Sequence, residues 1–526
     1  GLKQYLEKFP HGCTEQLVSQ GMPALVLRTR PEFGFTPEAA ETNLQATLSM
    51  LRSRQNDDGG FGLWVNASQV SDFASVYATH YLIEAKDRGA AVPADVLKSA
   101  LSYVTQLASR ETDALAGERL RAYAVYVLSR SGVVTSQYLA SVQKTLENSY
   151  KTTWKKDLAA IYLAGAYKLL KQDRKAQALI ADLKFGEVAE GETDYENYYD
   201  ALTRDAQLLY VLARHFPERL AKIEGDALLA LVAPITQNRY NTLSSAYSIL
   251  ALEAYAQVAE AQPAAGFAIA EVAANGQQKA LALPTGLFPV TNFSHEVGRL
   301  LISASGPLRG YYQVTQSGYD LGLPSEVTKQ RLEVFREYLG ADGKPITQVK
   351  LGDEVEVHVK LRSLSNATLW NLAIIDLLPG GFEVVVQPPA GAGDPEEEEK
   401  EDKTEDGSGE GHEGGGDSEG GDHEGDGDHE RGGDSDSDSS PARRVHPTPA
   451  ALPFAKPSST WQPEFGDVRE DRVILYGSAG SELKEFVYTI KATNLGTYTV
   501  PPLQGEGMYD RAVLARALGG KLTVVK

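Results

Sequence analysis

The chain of 526 residues carries a single cysteine, Cys13, and Gln16 stands three positions after it in the stretch Phe9-Pro10-His11-Gly12-Cys13-Thr14-Glu15-Gln16. If this stretch turns into a helix, residues i and i+3 share a face and their side chains can touch. A thiol set against a primary carboxamide can displace ammonia and close an internal thioester. Thiolate leaves an acyl carbon far more readily than an amide nitrogen does, so the product is an activated acyl group open to amines and hydroxyls. Water would hydrolyse such a bond, which therefore requires a covering surface. The same residues also permit a plainer reading, a buried inert thiol at a helix start with Gln16 facing solvent. Against that reading, Pro10 and Gly12 favour a specific turn before the cysteine, and no second cysteine is present to pair with it.

A chain of this length exceeds one compact core and predicts two to about four domains. The hydrophobic share is an ordinary 42%, and no run of apolar residues is long enough to span a membrane. The sequence opens "GLKQYLEKFP", without an initiator Met or a basic and apolar leader, which predicts that any targeting signal lies upstream and that these residues are the C-terminal part of a longer polypeptide. The net charge of -20 is local: residues 391–440 hold 21 acidic and 3 basic side chains, leaving 50 against 48 elsewhere. The remainder is nearly neutral and offers no basic surplus for nucleic acid. The acidic tract reads as a disordered loop insertion. Its His412, His423 and His429 could hold a divalent cation weakly, although carboxylates without a scaffold are ordinarily a solvated face.

The elements that must position Cys13 and Gln16 repeat. Five segments share a small, aromatic and aliphatic helical pattern aligned on Tyr77, Tyr123, Tyr162, Tyr210 and Tyr247, at intervals of 46, 39, 48 and 37 residues. Those are helical-hairpin lengths. In the first, Phe73, Val76, Tyr77 and His80 fall on an i, i+3, i+4, i+7 stripe. Residues 1–260 therefore read as stacked helical hairpins. The motif "QNDDGGFGLW" from Gln55 resembles the signature of α/α toroids, with Gly59 and Gly60 turning the chain between an outer and an inner helix. Residues 261–332 show short β-prone runs broken by Gly and Pro. From 333 to 526 the pattern sharpens: Val355, Val357, Val359 and Leu361 alternate with polar neighbours, and several such strands suggest a β-sandwich carrying the 391–440 insertion.

In this setting "PHGCTEQ" resembles the thioester motif of the alpha-2-macroglobulin and complement superfamily, bacterial in type, over nearly the whole chain. The resemblance implies an α/α toroid thioester domain, a CUB-like β segment and a C-terminal macroglobulin-like sandwich. It implies that Cys13 Sγ and Gln16 Cδ form the bond, while Pro10, Gly12 and Glu15 belong to the motif that shapes its turn. It further implies an endopeptidase inhibitor rather than an enzyme, with no cofactor and no metal. After bait cleavage in a part not included here, a lysine of the attacking protease would attack Gln16 and become linked to it. A periplasmic or extracellular setting follows from the resemblance, with any lipid anchor lying further upstream. Met508 and Tyr509 on a Gly-flanked loop resemble the cover that bacterial members place over the thioester; packing within the sandwich is the other reading, and Tyr5 and Phe9 are lesser candidates for the cover. Complement members that favour hydroxyl targets use a histidine about a hundred residues after the cysteine. The matching stretch "LASRETDALAGERLR" has none, which predicts preference for amines, and His80 and His215 read as helix histidines with local partners.

Two other classes compete. A toroid enzyme of terpenoid-cyclase or prenyltransferase type would need clustered aspartates or a zinc site, and only Asp57 and Asp58 stand near the toroid motif. A non-inhibitory surface adhesion or scaffold protein would leave the thioester unused or bind host amines with it.

Overall fold

The computed structural model describes residues 1–30, 33–65, 67, 69–188, 192–220, 222–223, 225–258, 267–283, 290–305, 314–316, 318, 322–386 and 452–526. The acidic insertion and its three histidines lie outside the described residues, as does part of the 261–332 segment.

Thirteen α-helices come first among the described residues: α1 Leu2–Lys8, α2 Thr14–Leu27, α3 Pro37–Arg54, α4 Asp72–Asp87, α5 Ala94–Ser109, α6 Leu115–Arg130, α7 Ser136–Tyr150, α8 Leu158–Leu169, α9 Asp173–Ile180, α10 Ala201–His215, α11 Pro217–Leu220, α12 Leu229–Thr236 and α13 Thr242–Val258. Helices α2, α4, α6, α8, α10 and α13 each pack on the next, and α13 returns to α2, so the inner set closes on itself. Outside it, α1 lies on α13, α3 on α2, α5 on α4 and α6, α7 on α6, α9 on α8, and α12 on α10. The burial follows the position. In α4 every residue from Ala74 to Ala85 is buried, whereas α5 buries one stripe, Val96, Leu97, Ala100, Tyr103, Val104, Leu107 and Ala108, and wets the rest.

Caps start the inner helices where the sequence supplies them. Ser71 Oγ accepts from Ala74 N, Asp157 from Ala159 N, and Asp200 from Thr203 N. The five aligned tyrosines are all buried, Tyr123 stacking on Tyr162 at 4.5 Å and Tyr77 meeting Tyr247 edge-on at 5.3 Å. Between α3 and α4, Gly59 sits at φ +87°, and a Cβ there would come within 2.2 Å of the Ser99 carbonyl oxygen, so only glycine fits this turn.

The strands follow: β1 Phe267–Ala273, β2 Gln278–Leu281, β3 Val297–Ala304, β4 Thr328–Gln330, β5 Leu332–Leu339, β6 Gln348–Lys350, β7 Glu354–Ser363, β8 Leu369–Leu377, β9 Phe382–Val384, β10 Phe465–Arg469, β11 Arg472–Ala479, β12 Lys484–Ala492, β13 Gly496–Val500, β14 Gln504–Gly507, β15 Leu514–Arg516 and β16 Gly520–Val525. Strands β2-β1-β3 make a small antiparallel sheet; β10-β11-β8-β14-β15-β4 and β5-β7-β12-β9 make two larger ones, and β13-β16-β6 a fourth. Val355, Val357, Val359 and Leu361 on β7 are fully buried, and they share one core with Leu372 and Ile374 of β8 and with Phe486 and Ile490 of β12. Side chains from both larger sheets therefore fill a single interior.

Register carries the far end of the chain to the helices. Strand β14 pairs antiparallel with β8, with Gly507 opposite Leu372, and the Met508 amide continues the ladder by donating to the Asn371 carbonyl at 2.9 Å. Met508 and Tyr509 thus lie in the β14–β15 connection.

Candidate functional site

Cys13 is the N-cap of α2, with extended backbone at φ -67° and ψ 165°. Three residues on, the Gln16 side chain turns back along the helix start and its Oε1 accepts from the Cys13 amide at 3.0 Å. This reciprocal cap brings the carboxamide and the thiol to the same end of the helix. Both are buried: Cys13 is 3% exposed and Gln16 fully enclosed.

The turn ahead of Cys13 is held from α3 and from the segment after the glycine turn. Arg54 donates to the Gly12 carbonyl at 3.0 Å, to the Leu63 carbonyl at 2.8 Å and to Thr14 Oγ1 at 3.1 Å. The Thr14 amide donates to the Leu63 carbonyl at 2.8 Å, and its hydroxyl donates to the Gly62 carbonyl. The stretch "QNDDGGFGLW" therefore does more than reverse the chain, since Gly62 and Leu63 within it anchor the turn around Cys13. Gly12 does not use the freedom peculiar to glycine: its backbone is not left-handed, and a Cβ would meet only Leu17 at an ordinary 3.6 Å. Pro10 is exposed at the start of the turn.

Glu15 points inward and is fully buried. Its Oε1 accepts from Ser19 Oγ at 2.6 Å and from Thr242 Oγ1 of α13 at 3.2 Å; its Oε2 accepts from Thr242 Oγ1 at 3.0 Å and from the Tyr509 hydroxyl at 2.5 Å. Burial pushes its carboxyl above the usual range, while the hydroxyl donors hold it down in part.

The side chains packed over this pair come from the strand-rich part. Gln16 Nε2 donates to Met508 Sδ at 3.2 Å, and the Tyr509 hydroxyl stands 3.6 Å from Cys13 Sγ. Tyr509 meets Tyr198 edge-on at 5.1 Å, and its carbonyl accepts from Asn241 Nδ2 at 3.4 Å. Met508, Tyr509, Ala373, Ile474 and Tyr476 form a small apolar cluster of their own, with Phe9, Trp64 and Tyr198 of the helical part packed against it. Trp64 stacks on Phe465 at 4.6 Å, the rings 5° from parallel. Burial, reinforced by Glu15, pushes the Cys13 thiol up to about 12.

Tyr5 stands to one side. Its ring packs on Phe9 at 5.5 Å, on Tyr240 at 5.0 Å and under the Arg511 guanidinium at 5.1 Å, rather than on Cys13 or Gln16. Sequence reasoning gave no role to His11, which is 1% exposed and joins the two parts, Nε2 to Glu506 Oε1 at 2.6 Å and Nδ1 to the Tyr476 hydroxyl at 3.3 Å. Its place beside the cysteine was the only signal available. His80 and His215 are bound within the helical ring, to the hydroxyls of Tyr123 at 2.8 Å and Tyr126 at 2.9 Å. Asp57 and Asp58 are exposed in the glycine turn, and among the described residues no group of three or more His, Cys, Asp or Glu could hold a metal. No described helix is long and apolar enough to cross a membrane.

No family model matches the chain. It is 37% identical over 534 residues to the alpha-2-macroglobulin homolog of Yersinia pestis, across all of this chain and 25% of that protein. The alpha-2-macroglobulin of Rickettsia conorii is 31% identical over 532 residues, across all of this chain and 24% of the relative. The chain thus spans about a quarter of the length of the curated relatives it matches. Among solved structures, native alpha-2-macroglobulin from Escherichia coli, spanning domain MG7 to the C-terminus, matches with a TM-score of 0.69 at 20% identity, covering 100% of this chain and 75% of that one. Salmonella alpha-2-macroglobulin reacted with methylamine matches with a TM-score of 0.69 at 18% identity, covering 100% and 30%. The structural likenesses establish a shared fold, and the identities along the whole length establish descent: the chain belongs to the bacterial alpha-2-macroglobulins.

Proposed function

We propose that the chain is the thioester-bearing portion of a covalent protease-trapping inhibitor. Residues 1–260 serve as an α/α toroid thioester domain, 261–332 as a CUB-like segment and 333–526 as a macroglobulin-like sandwich with its insertion. Cys13 Sγ and Gln16 Cδ are the bonded atoms. The observation that carries this is the reciprocal cap, which directs the Gln16 carbonyl oxygen at the Cys13 N–H, 3.0 Å away, beneath Met508 and Tyr509.

That amide hydrogen bond polarises the carbonyl and accepts charge as a nucleophile adds to Cδ. Closure makes one C–S bond, breaks one C–N bond and releases ammonia. Capture reverses the logic: a lysine amine of a protease adds to Cδ, the Cys13 thiolate leaves, and an isopeptide-type amide remains. A resting state with the cover docked excludes water, and a shift to an undocked state admits the amine. Reaction of the Salmonella relative with methylamine supports an amine-reactive group in this family. The setting is periplasmic or extracellular, and the chain acts as an inhibitor rather than an enzyme.

Intact mass tests this directly. The folded chain is expected one ammonia lighter than its sequence, to gain one methylamine on treatment, and then to show one alkylatable thiol after unfolding. A mass equal to the unmodified sequence, with Cys13 alkylated on unfolding before any amine is added, sinks the proposal.

A further inference from the structure

We infer that the Tyr509 hydroxyl and the Glu15 carboxylate together take the Cys13 thiol proton during closure of the thioester, an inference that rests on the reading of Cys13 and Gln16 given above. Within the motif, Cys13 supplies a nucleophile and Gln16 an electrophile, while Glu15 is read so far only as shaping the turn. Closure requires a base, because the buried thiol, pushed up to about 12, keeps its proton near neutral pH.

The hydrogen bonds have one consistent direction. The Tyr509 hydroxyl donates to Glu15 Oε2 at 2.5 Å, which commits its proton there. The phenol oxygen, which also has the Tyr198 hydroxyl beside it, stands 3.6 Å from Cys13 Sγ and can accept the thiol proton. Glu15 has no lysine or arginine among its hydrogen-bond donors, which are Ser19, Thr242 and Tyr509, all hydroxyls. Burial raises its carboxyl, and a raised carboxylate is a stronger base. His11, the nearest histidine in sequence, directs its ring nitrogens at Tyr476 and Glu506 instead. Arg54 is a cation that holds carbonyls of the turn.

The step balances. The thiol proton passes to the phenol oxygen as Tyr509 gives its own proton to Glu15. The thiolate electron pair forms the Sγ–Cδ bond, and the carbonyl pair moves onto Oε1 against the Cys13 N–H. Its return expels Nε2, Glu15 gives the proton back to the departing nitrogen through the same hydroxyl, and ammonia leaves. Nothing is oxidised or reduced. Because Tyr509 belongs to the strand-rich part, closure is coupled to docking: the bond forms only where its cover is already in place, and undocking removes the machinery that could re-form it.

Ammonia provides the assay, since it opens the thioester back to Cys13 and Gln16 in the folded chain. Removing ammonia then starts re-closure, followed by loss of the thiol titrated after unfolding and by a mass drop of one ammonia. Tyr509→Phe keeps the ring and deletes the hydroxyl; Glu15→Gln keeps an acceptor for Ser19 and Thr242 and deletes the base. Each is expected to re-close about 100-fold more slowly and, because ammonia opening is the reverse of the same step, to open more slowly by a similar factor, whereas loss of a purely covering role would speed opening. Re-closure of the folded Tyr509→Phe chain at the unsubstituted rate overturns the inference. If that variant does not fold, the Glu15→Gln rate decides in the same way. An unsubstituted chain that never closes is a separate result, which overturns the thioester reading itself.

Discussion

Gln16 Nε2 donates to Met508 Sδ at 3.2 Å across 492 positions of sequence, so the carboxamide and the side chain over it belong to different parts of the fold. The contact is apolar around a weak sulfur acceptor, and under the proposed function it is the contact a releasing lid would break. Met508→Ala removes a side chain only 5% exposed and is expected to cost about 2–5 kcal/mol of stability. Its functional signature is faster loss of the thioester: methylamine incorporation and spontaneous hydrolysis both accelerate, followed by intact mass. Unchanged rates with a folded variant would show that Met508 packs there without shielding.

The freed thiol reports the docked state. With Cys13 pushed up to about 12 by burial, its thiolate fraction near neutral pH falls about 1000-fold below that of an exposed cysteine. Alkylation of the ammonia-opened, folded chain should therefore be slow, and it should become fast once urea separates the parts. Rapid alkylation without denaturant would mean that the cover had already left.

Much of this was legible in the sequence, and the limit is physical. The alternation of Val355, Val357, Val359 and Leu361 reports directly which face is buried, because a strand's own period contains that information. Cys13 and Gln16 are legible for the same reason: both lie within one helical turn, so spacing implies proximity. The partners of Glu15 are not. Thr242 lies 227 positions away and Tyr509 494, and their approach depends on α13 closing the ring onto α2 and on the register of β14 with β8. His11 and Glu506 meet through the same register, 495 positions apart. Periodicity describes each element alone and carries no record of which distant element it meets.

Acid should weaken the helical ring. His215 is held down to about 3, first by burial and then by Arg130 and Arg214. The unfolded side chain titrates near 6.5, so between those values the unfolded state binds the extra proton. Stability is then fully present above about pH 6.5 and falls as pH drops through the window toward 3, by about 1.4 kcal/mol per pH unit for this group. His80, lowered first by burial, acts in the same direction. Thermal midpoints of the unsubstituted chain should decline from pH 7 to 5. His215→Gln, which can still meet the Tyr126 hydroxyl, should flatten that decline; an equal slope in the variant would remove His215 from the account.

Arg54 tests whether the turn must be held for chemistry as well as for folding. Its guanidinium spans Gly12, Thr14 and Leu63 at 2.8 to 3.1 Å, so one side chain fixes both the residue before Cys13 and the residue after it. Lysine has the charge but not the planar fork, and it cannot reproduce three directed bonds. Arg54→Lys is expected to leave two of these acceptors short and to cost about 1–3 kcal/mol. The more telling effect is on closure. If the Cys13 amide drifts from Gln16 Oε1, the carbonyl loses its polarising partner, and re-closure after ammonia opening should slow by about 10–1000-fold even in folded protein. Normal closure kinetics in a folded but destabilised Arg54→Lys chain would assign Arg54 to stability alone and leave the helix cap sufficient to set the geometry.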